Sequence, residues 1–337
     1  MRERSPLLPP PQGPISASVI DALRGAPGRV QLPRLHDVDA FGDDLQLALW
    51  CCYELHYASF IGVDDAWEWE PGLLDARRDL ERAFADRLVD EIGPPRAAAV
   101  SDVAPALHEI ANGDGPSLSG YLLDRGDRNE MREFLVHRSL YQRKEADPHT
   151  WAIPRMRGRV KAAMLAIQYD EYGDGVAAEM HAELFATTMR ALDLDPAFGA
   201  YVDLLPGVTL ATDNLVTMFG LHRSWRAACV GHLALFEMTS VGPMGRYASA
   251  LRRLGVGPEA RRFYDVHVSA DAVHQHIALD EMVGALIDED ASMSGGVLFG
   301  ARALSAIEGR FAGHLLSSWE TGVTSLFAPL VPERLAS

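Results

Sequence analysis

The sequence predicts an all-α protein. Apolar residues recur at helical spacing along nearly the whole chain, no run of alternating strand-like residues occurs, and no fixed-period repeat is present. With 337 residues, 48% of them hydrophobic, the chain can build one large domain or two smaller ones. The expected helices outnumber those of a four-helix bundle, so a larger bundle is expected, with roughly the first hundred residues packed against it. The organisation read from the sequence is a flexible proline-rich tail over 1–20 and a single helical domain over 21–330, with its functional core at 130–320.

Residues 1–16 hold five prolines and read as a mobile segment. A strong apolar helix is predicted over 43–61. An amphipathic one follows over 73–92, with Leu80, Phe84 and Leu88 four apart. A shorter helix covers 103–111, and Gly113-Asp114-Gly115-Pro116 breaks the chain. The next runs over 129–146 and stops at Asp147-Pro148, because proline disfavours helix at the residue before it. A helix over 154–172 is interrupted by Gly173-Asp174-Gly175 and resumes over 176–192. Further helices are expected over 198–205, 208–219, 222–239, 242–254, 258–288 and 291–319, with Pro258 suited to a first turn.

The 31 basic and 47 acidic residues give a formal charge of −16. Such a surface repels nucleic-acid phosphate and anionic lipid, so neither is an expected partner. No 18-residue apolar stretch and no signal-peptide core is present. Cys51, Cys52 and Cys229 make neither a disulfide framework nor a CxxC zinc site. The expectation is a soluble, reducing, cytoplasmic setting.

The chemistry concentrates near the C-terminus, in Phe263-Tyr264-Asp265-Val266-His267 followed by Asp271 and His274. On a helix these three fall at roughly 0°, 40° and −20°, a stripe about 10 Å long. Two imidazoles and a carboxylate on one buried stripe are costly unless something binds them, and a metal with mixed nitrogen and oxygen ligands would. Glu145, Glu171 and His181 stand beside the helix breaks and complete a set of three carboxylates and three imidazoles. Glu171 and His181 are ten residues apart, a poor spacing on one straight helix, so an irregularity near Gly173 is predicted. Oxygen and imidazole donors without thiolate suit iron or manganese.

These residues and their flanks resemble the iron-containing redox enzyme family, whose members are haem-oxygenase-like di-iron oxidases and oxygenases. The resemblance rests on Arg143-Lys144-Glu145-Ala146-Asp147-Pro148, Gln168-Tyr169-Asp170-Glu171-Tyr172-Gly173, Met180-His181-Ala182-Glu183-Leu184-Phe185 and the His267, Asp271, His274 spacing. It covers roughly 130–320 and extends to Cys52-Tyr53-Glu54-Leu55-His56-Tyr57 and Val63-Asp64-Asp65-Ala66-Trp67-Glu68-Trp69. It implies a haem-oxygenase-like helical fold, two Fe(II) ions in place of haem, O2 as co-substrate and a small amino-acid-like or fatty-acid-like organic substrate. An external electron donor and a homodimer are further expectations. Some members carry one more carboxylate seven residues after the counterpart of Glu171, and here that position is Ala178.

Around this set, Tyr141 and Gln142 are expected beside the substrate and Arg138 on its carboxylate, because Arg138, Tyr141 and Glu145 share one helical stripe; an interior salt bridge for Arg138 and a core tyrosine are the alternative. Glu133 and His137 read as a surface pair. His222, His232 and Glu237 read as packing or supporting residues, and His56 as core. A ferritin-like bundle is excluded, since no Glu stands three residues before a histidine. Haem oxygenase would need a proximal histidine, for which His36 or His56 could be proposed. A metal-free hydrolase of the same fold would need a nucleophilic cysteine, and Cys229 lies in an apolar run. A non-catalytic helical accessory protein is the remaining alternative.

Overall fold

Helical spacing becomes burial: Leu80, Phe84 and Leu88 are all fully enclosed. The computed structural model describes residues 5–330, and among them every regular element is a helix. No helix of the described residues is long and apolar enough to cross a membrane.

The N-terminal layer comprises α1 (Pro14–Leu23), α2 (Asp43–Glu54), α3 (Pro71–Ile92) and α4 (Val100–Ala111). The rest comprises α5 (Leu118–Asp124), α6 (Arg128–Gln142), the single turn α7 (Asp147–Thr150), α8 (Gly158–Glu171), α9 (His181–Ala191) and α10 (Gly207–Leu221). Then follow α11 (Arg226–Arg253), α12 (Pro258–His276), α13 (Gly284–Glu289) and α14 (Ser294–Glu320). A π-helical stretch, Ile277–Val283, joins α12 to α13 without a break. The long α11 packs against α12 on one side and α14 on the other, α12 against α9, and α8 against the π-helical stretch. In the N-terminal layer α2 sits between α1 and α10.

Several boundaries differ from the sequence reading. Of the expected tail, residues 1–4 lie outside the described residues, and 14–20 belong to α1, where Ile15, Val19 and Ile20 are buried against α2. The apolar pattern at helical spacing outweighs the nearby prolines, one of which, Pro14, occupies the first turn. The helix expected over 43–61 ends at Glu54, because Ser59 takes a left-handed φ of 57° and its amide donates to the Glu54 carbonyl. The Glu54 carboxylate also accepts from the Ala58 amide. Only a 3-10 turn, Val202–Leu204, forms within 198–205. The expected pair 222–239 and 242–254 is one helix. Pro243 removes a single backbone hydrogen bond, and burial of Ser240, Met244 and Tyr247 carries α11 through.

Glu133 and His137 are not a surface pair. Both are buried on α6 and face the segment after α14. Glu133 accepts from Trp319 Nε1 at 2.9 Å, Thr324 Oγ1 at 2.6 Å, Ser325 N at 2.9 Å and Ser325 Oγ at 2.7 Å. His137 bridges Thr209 Oγ1 at 2.6 Å and Ser325 Oγ at 2.9 Å, joining α6, α10 and the C-terminal segment. Glu133 therefore pins the chain after α14 onto the core. Glu133→Ala would leave several buried donors without an acceptor, so it should cost about 2–4 kcal/mol in urea unfolding. A change below about 0.5 kcal/mol would contradict the clamp.

Candidate metal centre

The side chains singled out beside helix breaks converge because the backbone breaks where it does. α6 ends at Gln142, short of the predicted 146, and Arg143–Ala146 forms a turn. Ala146 adopts φ 75°, a left-handed conformation that a non-glycine residue takes only at some cost, and this turns Glu145 inward. α8 ends at Glu171. Gly173, Asp174 and Gly175 all have positive φ, and α9 begins at His181. The predicted irregularity is thus a full break. A Cβ on Gly173 would lie 2.5 Å from Met180 N, so glycine is required for the chain to fold back and bring His181 against Glu171. His267, Asp271 and His274 project from one buried stripe of α12.

The donor atoms form two groups. Glu145, Glu171, His181 and His267 each offer an atom within 4.8 Å of the others, and so do Glu171, Asp271 and His274. Glu171 belongs to both. His181 Nδ1 lies 2.7 Å from Glu171 Oε2, and the two do not have hydrogen-bond geometry. His267 Nε2 is 3.6 Å from Glu145 Oε1 and 4.0 Å from Glu171 Oε2. His274 Nδ1 is 3.7 Å from Glu171 Oε1, 3.8 Å from Asp271 Oδ1 and 3.4 Å from Glu237 Oε2.

Neighbouring groups orient the imidazoles. His267 Nδ1–H donates to the Phe263 carbonyl at 2.6 Å, leaving Nε2 as the free lone pair. His274 Nε2–H donates to Asp170 Oδ2 at 2.8 Å, leaving Nδ1. With its amide nitrogen turned toward Glu145, Gln142 donates to Oε1 at 2.7 Å.

Electrostatics tie the cluster together. Burial pushes Glu171 up, but His181, His267 and His274 outweigh it and hold the carboxyl at about 2. Burial, opposed by His267 and reinforced by Glu237 and Glu171, lifts Asp271 to about 8. Burial disfavours charge on His274, yet Glu237, Glu171 and Asp170 raise it to about 9. Burial also raises Glu145 and Glu237. Protons on His267, on His274 and on the raised acids offset charge in the cluster, and a cation would have to displace them.

A metal fits these residues. Glu171 Oε2, His181 Nδ1, Asp271 Oδ2 and His274 Nδ1 are buried and have no hydrogen-bond partner among the described residues, which is costly for bare polar atoms. Two ligands at about 2.1 Å from one ion, at right angles, lie about 3 Å apart, close to the Glu171–His181 separation. Carboxylate and imidazole donors without thiolate match iron or manganese.

Glu237, read from the sequence as packing or supporting, lies beside the donor groups themselves. It is buried on α11 and faces His274 from another helix. Helical periodicity along α11 cannot reveal a contact made across to α12. His232 instead meets His149 at 3.1 Å. Arg138 does not present a free guanidinium. Glu308 takes both of its arms, at 2.8 and 2.6 Å, and the group stacks over Phe311, so the expected substrate-carboxylate clamp is an internal ion pair. Tyr141 lines the small void, about 10 Å³, left among Glu145, Glu171, Glu237, His267 and Asp271. Gln142 lines a separate cavity of about 500 Å³.

Neither haem candidate belongs to either donor group. His36 is exposed beside Asp37, and His56 has both ring nitrogens engaged, by Glu68 and Arg77. Burial pushes the Cys229 thiol up to about 12, unsuited to a nucleophile.

Residues 132–309 match the iron-containing redox enzyme family, 178 of 337 positions counted inclusively, and the span contains every donor named above. No curated protein matches the chain. The all-helical fold and a buried carboxylate–imidazole cluster able to hold a metal fit that family. The chain belongs to the iron-containing redox enzyme family.

The role of Gly173 is testable. Gly173→Ala should push the 179–180 backbone and His181 away from Glu171. Adding Fe(II) anaerobically should raise the melting temperature of the wild type, by about 2.7 kcal/mol of stabilisation at a hundredfold excess over Kd. The variant should gain markedly less. Equal gains would contradict the role assigned to the break.

Proposed function

We propose that this protein is a non-haem di-iron oxidase or oxygenase that reduces O2 and oxidises a small organic metabolite. One observation supports two ions over one. The carboxylate of Glu171 belongs to both donor groups, with one oxygen facing His181 and the other facing His274. Glu145, Glu171, His181 and His267 would hold one Fe(II), and Glu171, Asp271 and His274 the other. Glu237 stands close enough to His274 to replace the carboxylate that Ala178 does not supply. Iron held there supplies the electrons and open coordination positions that O2 reduction needs.

The protein's own groups do the remaining work. Phe263 and Asp170 fix which imidazole nitrogen is free, and Gln142 holds Glu145. The void beside the cluster has room for about one water, which limits solvent around the reacting atoms. Tyr141 closes one side of that void, and burial first, then Glu145 and Glu171, keep its phenol protonated. The substrate approaches from the cavity lined by Gln142, which shares Phe236 and Ser240 with the void. Another cavity, about 470 Å³, shares no lining residue with it, and Lys144 there is held by Glu54 and Asp213 at 3.2 and 2.9 Å. If turnover left the bound iron oxidised, an external electron donor would be needed to restore the ferrous form.

The wild type should bind two Fe(II) per chain and consume O2 quickly when ferrous, whereas His181→Ala and His274→Ala should each lose iron and O2 uptake. Metal analysis and an oxygen electrode provide the readouts. Unchanged iron content in both variants overturns the ligand assignment. Full iron loading without O2 uptake, with or without substrates, favours a non-catalytic accessory role, and a Soret band on haem addition favours haem chemistry.

A further inference from the structure

Arg246 is a half-buried cation on the wall of the cavity of about 500 Å³ that adjoins the cluster. Its Nε donates to Ser119 Oγ at 2.8 Å, and Ser119 is itself buried. Nη1 and Nη2 have no hydrogen-bond or ion-pair partner among the described residues. The other charges on the lining are Arg138 and Glu308, and these neutralise each other through two short hydrogen bonds. The cavity therefore carries one uncompensated positive charge, held in place by a buried hydroxyl.

Aromatic and apolar side chains make up much of the rest of the wall, interspersed with the hydroxyls of Ser117, Thr239 and Ser305. Phe134 stacks on Tyr247 at 4.6 Å, Tyr247 meets Tyr264, and Phe236, Met244 and Leu304 add apolar surface. At the inner end stand Gln142 and Ser240. Gln142 touches Glu145, and Ser240 also lines the void beside the cluster. No unpaired acid lines the cavity to receive an ammonium group.

We infer that this cavity takes an amphipathic monocarboxylate, with Arg246 anchoring its carboxylate and its apolar end directed to Gln142 and Ser240. Arg246 is then a specificity-determining residue, and oxidation falls at the end of the substrate away from the carboxyl group. A planar guanidinium with two free terminal nitrogens suits bidentate carboxylate recognition, and aromatic walls suit an apolar body. The inference rests on the proposed metal site only for what happens at the inner end; the binding itself does not need iron.

Calorimetry on iron-free protein tests it, so the outcome does not depend on the metal assignment. The probe is 4-phenylbutyrate, with 4-phenylbutanol as its uncharged counterpart and 4-phenylbutylamine as the cation. Wild type should bind the carboxylate at least tenfold more tightly than the alcohol, and the amine more weakly still. Arg246→Gln should erase the preference for carboxylate over alcohol, and Arg246→Lys should keep part of it. Met244→Trp, which fills the cavity, should abolish binding of both. Circular dichroism establishes that each variant is folded. Carboxylate binding unchanged in Arg246→Gln, or no binding by the wild type at millimolar ligand, overturns the inference. Iron loading that fails while this pattern holds overturns the metal reading and leaves the cavity assignment standing.

Discussion

The constraint on which the structure turns is the burial of Glu145, Glu171, Glu237 and Asp271 within one small volume. Each buried carboxylate costs several kcal/mol unless charge compensates it. His181, His267 and His274 face them and supply part of that compensation. They do not complete it with hydrogen bonds, since donor atoms on Glu171, His181, Asp271 and His274 stay unpartnered. A bound cation, as proposed, would supply the missing compensation.

The surrounding architecture serves that cluster. Regular helix would point Glu145 and His181 elsewhere, so the chain accepts left-handed backbone at Ala146 and at Gly173, Asp174 and Gly175. The long α11 brings Glu237 to one side, and α12 supplies three donors from a single stripe. The clamp of Glu133 and His137 on the segment after α14 holds α6, the helix that leads into Glu145. The same helix sends Arg138 and Gln142 into the larger cavity, so the centre and its approach share one scaffold.

The helical class was legible because apolar residues at helical spacing are a local signal, and α3 and α12 follow it closely. His267, Asp271 and His274 were legible for the same reason: three residues on one helix fix their own relative directions. Glu145, Glu171 and His181 could be singled out beside breaks, and the Gly173-Asp174-Gly175 string announced where the backbone would turn. Glu237 could not, because its partner is on another helix and periodicity says nothing about contacts between helices. Glu133 escapes a sequence reading for a related reason: the groups that donate to it, from Trp319 to Ser325, lie roughly 190 residues away in sequence. Arg138 shares a stripe with Tyr141 and Glu145 as expected, yet Glu308 on α14 claims its guanidinium. The continuity of α11 through Pro243 shows packing overriding a local breaker.

The central claim is that two iron ions share the Glu171 carboxylate. Anomalous diffraction at the iron edge, from crystals grown and loaded with Fe(II) without oxygen, tests it most directly. Two peaks should flank Glu171, one between His181 and His267 and one beside His274 and Asp271. A single peak at saturating iron, or iron bound away from Glu171, would contradict it.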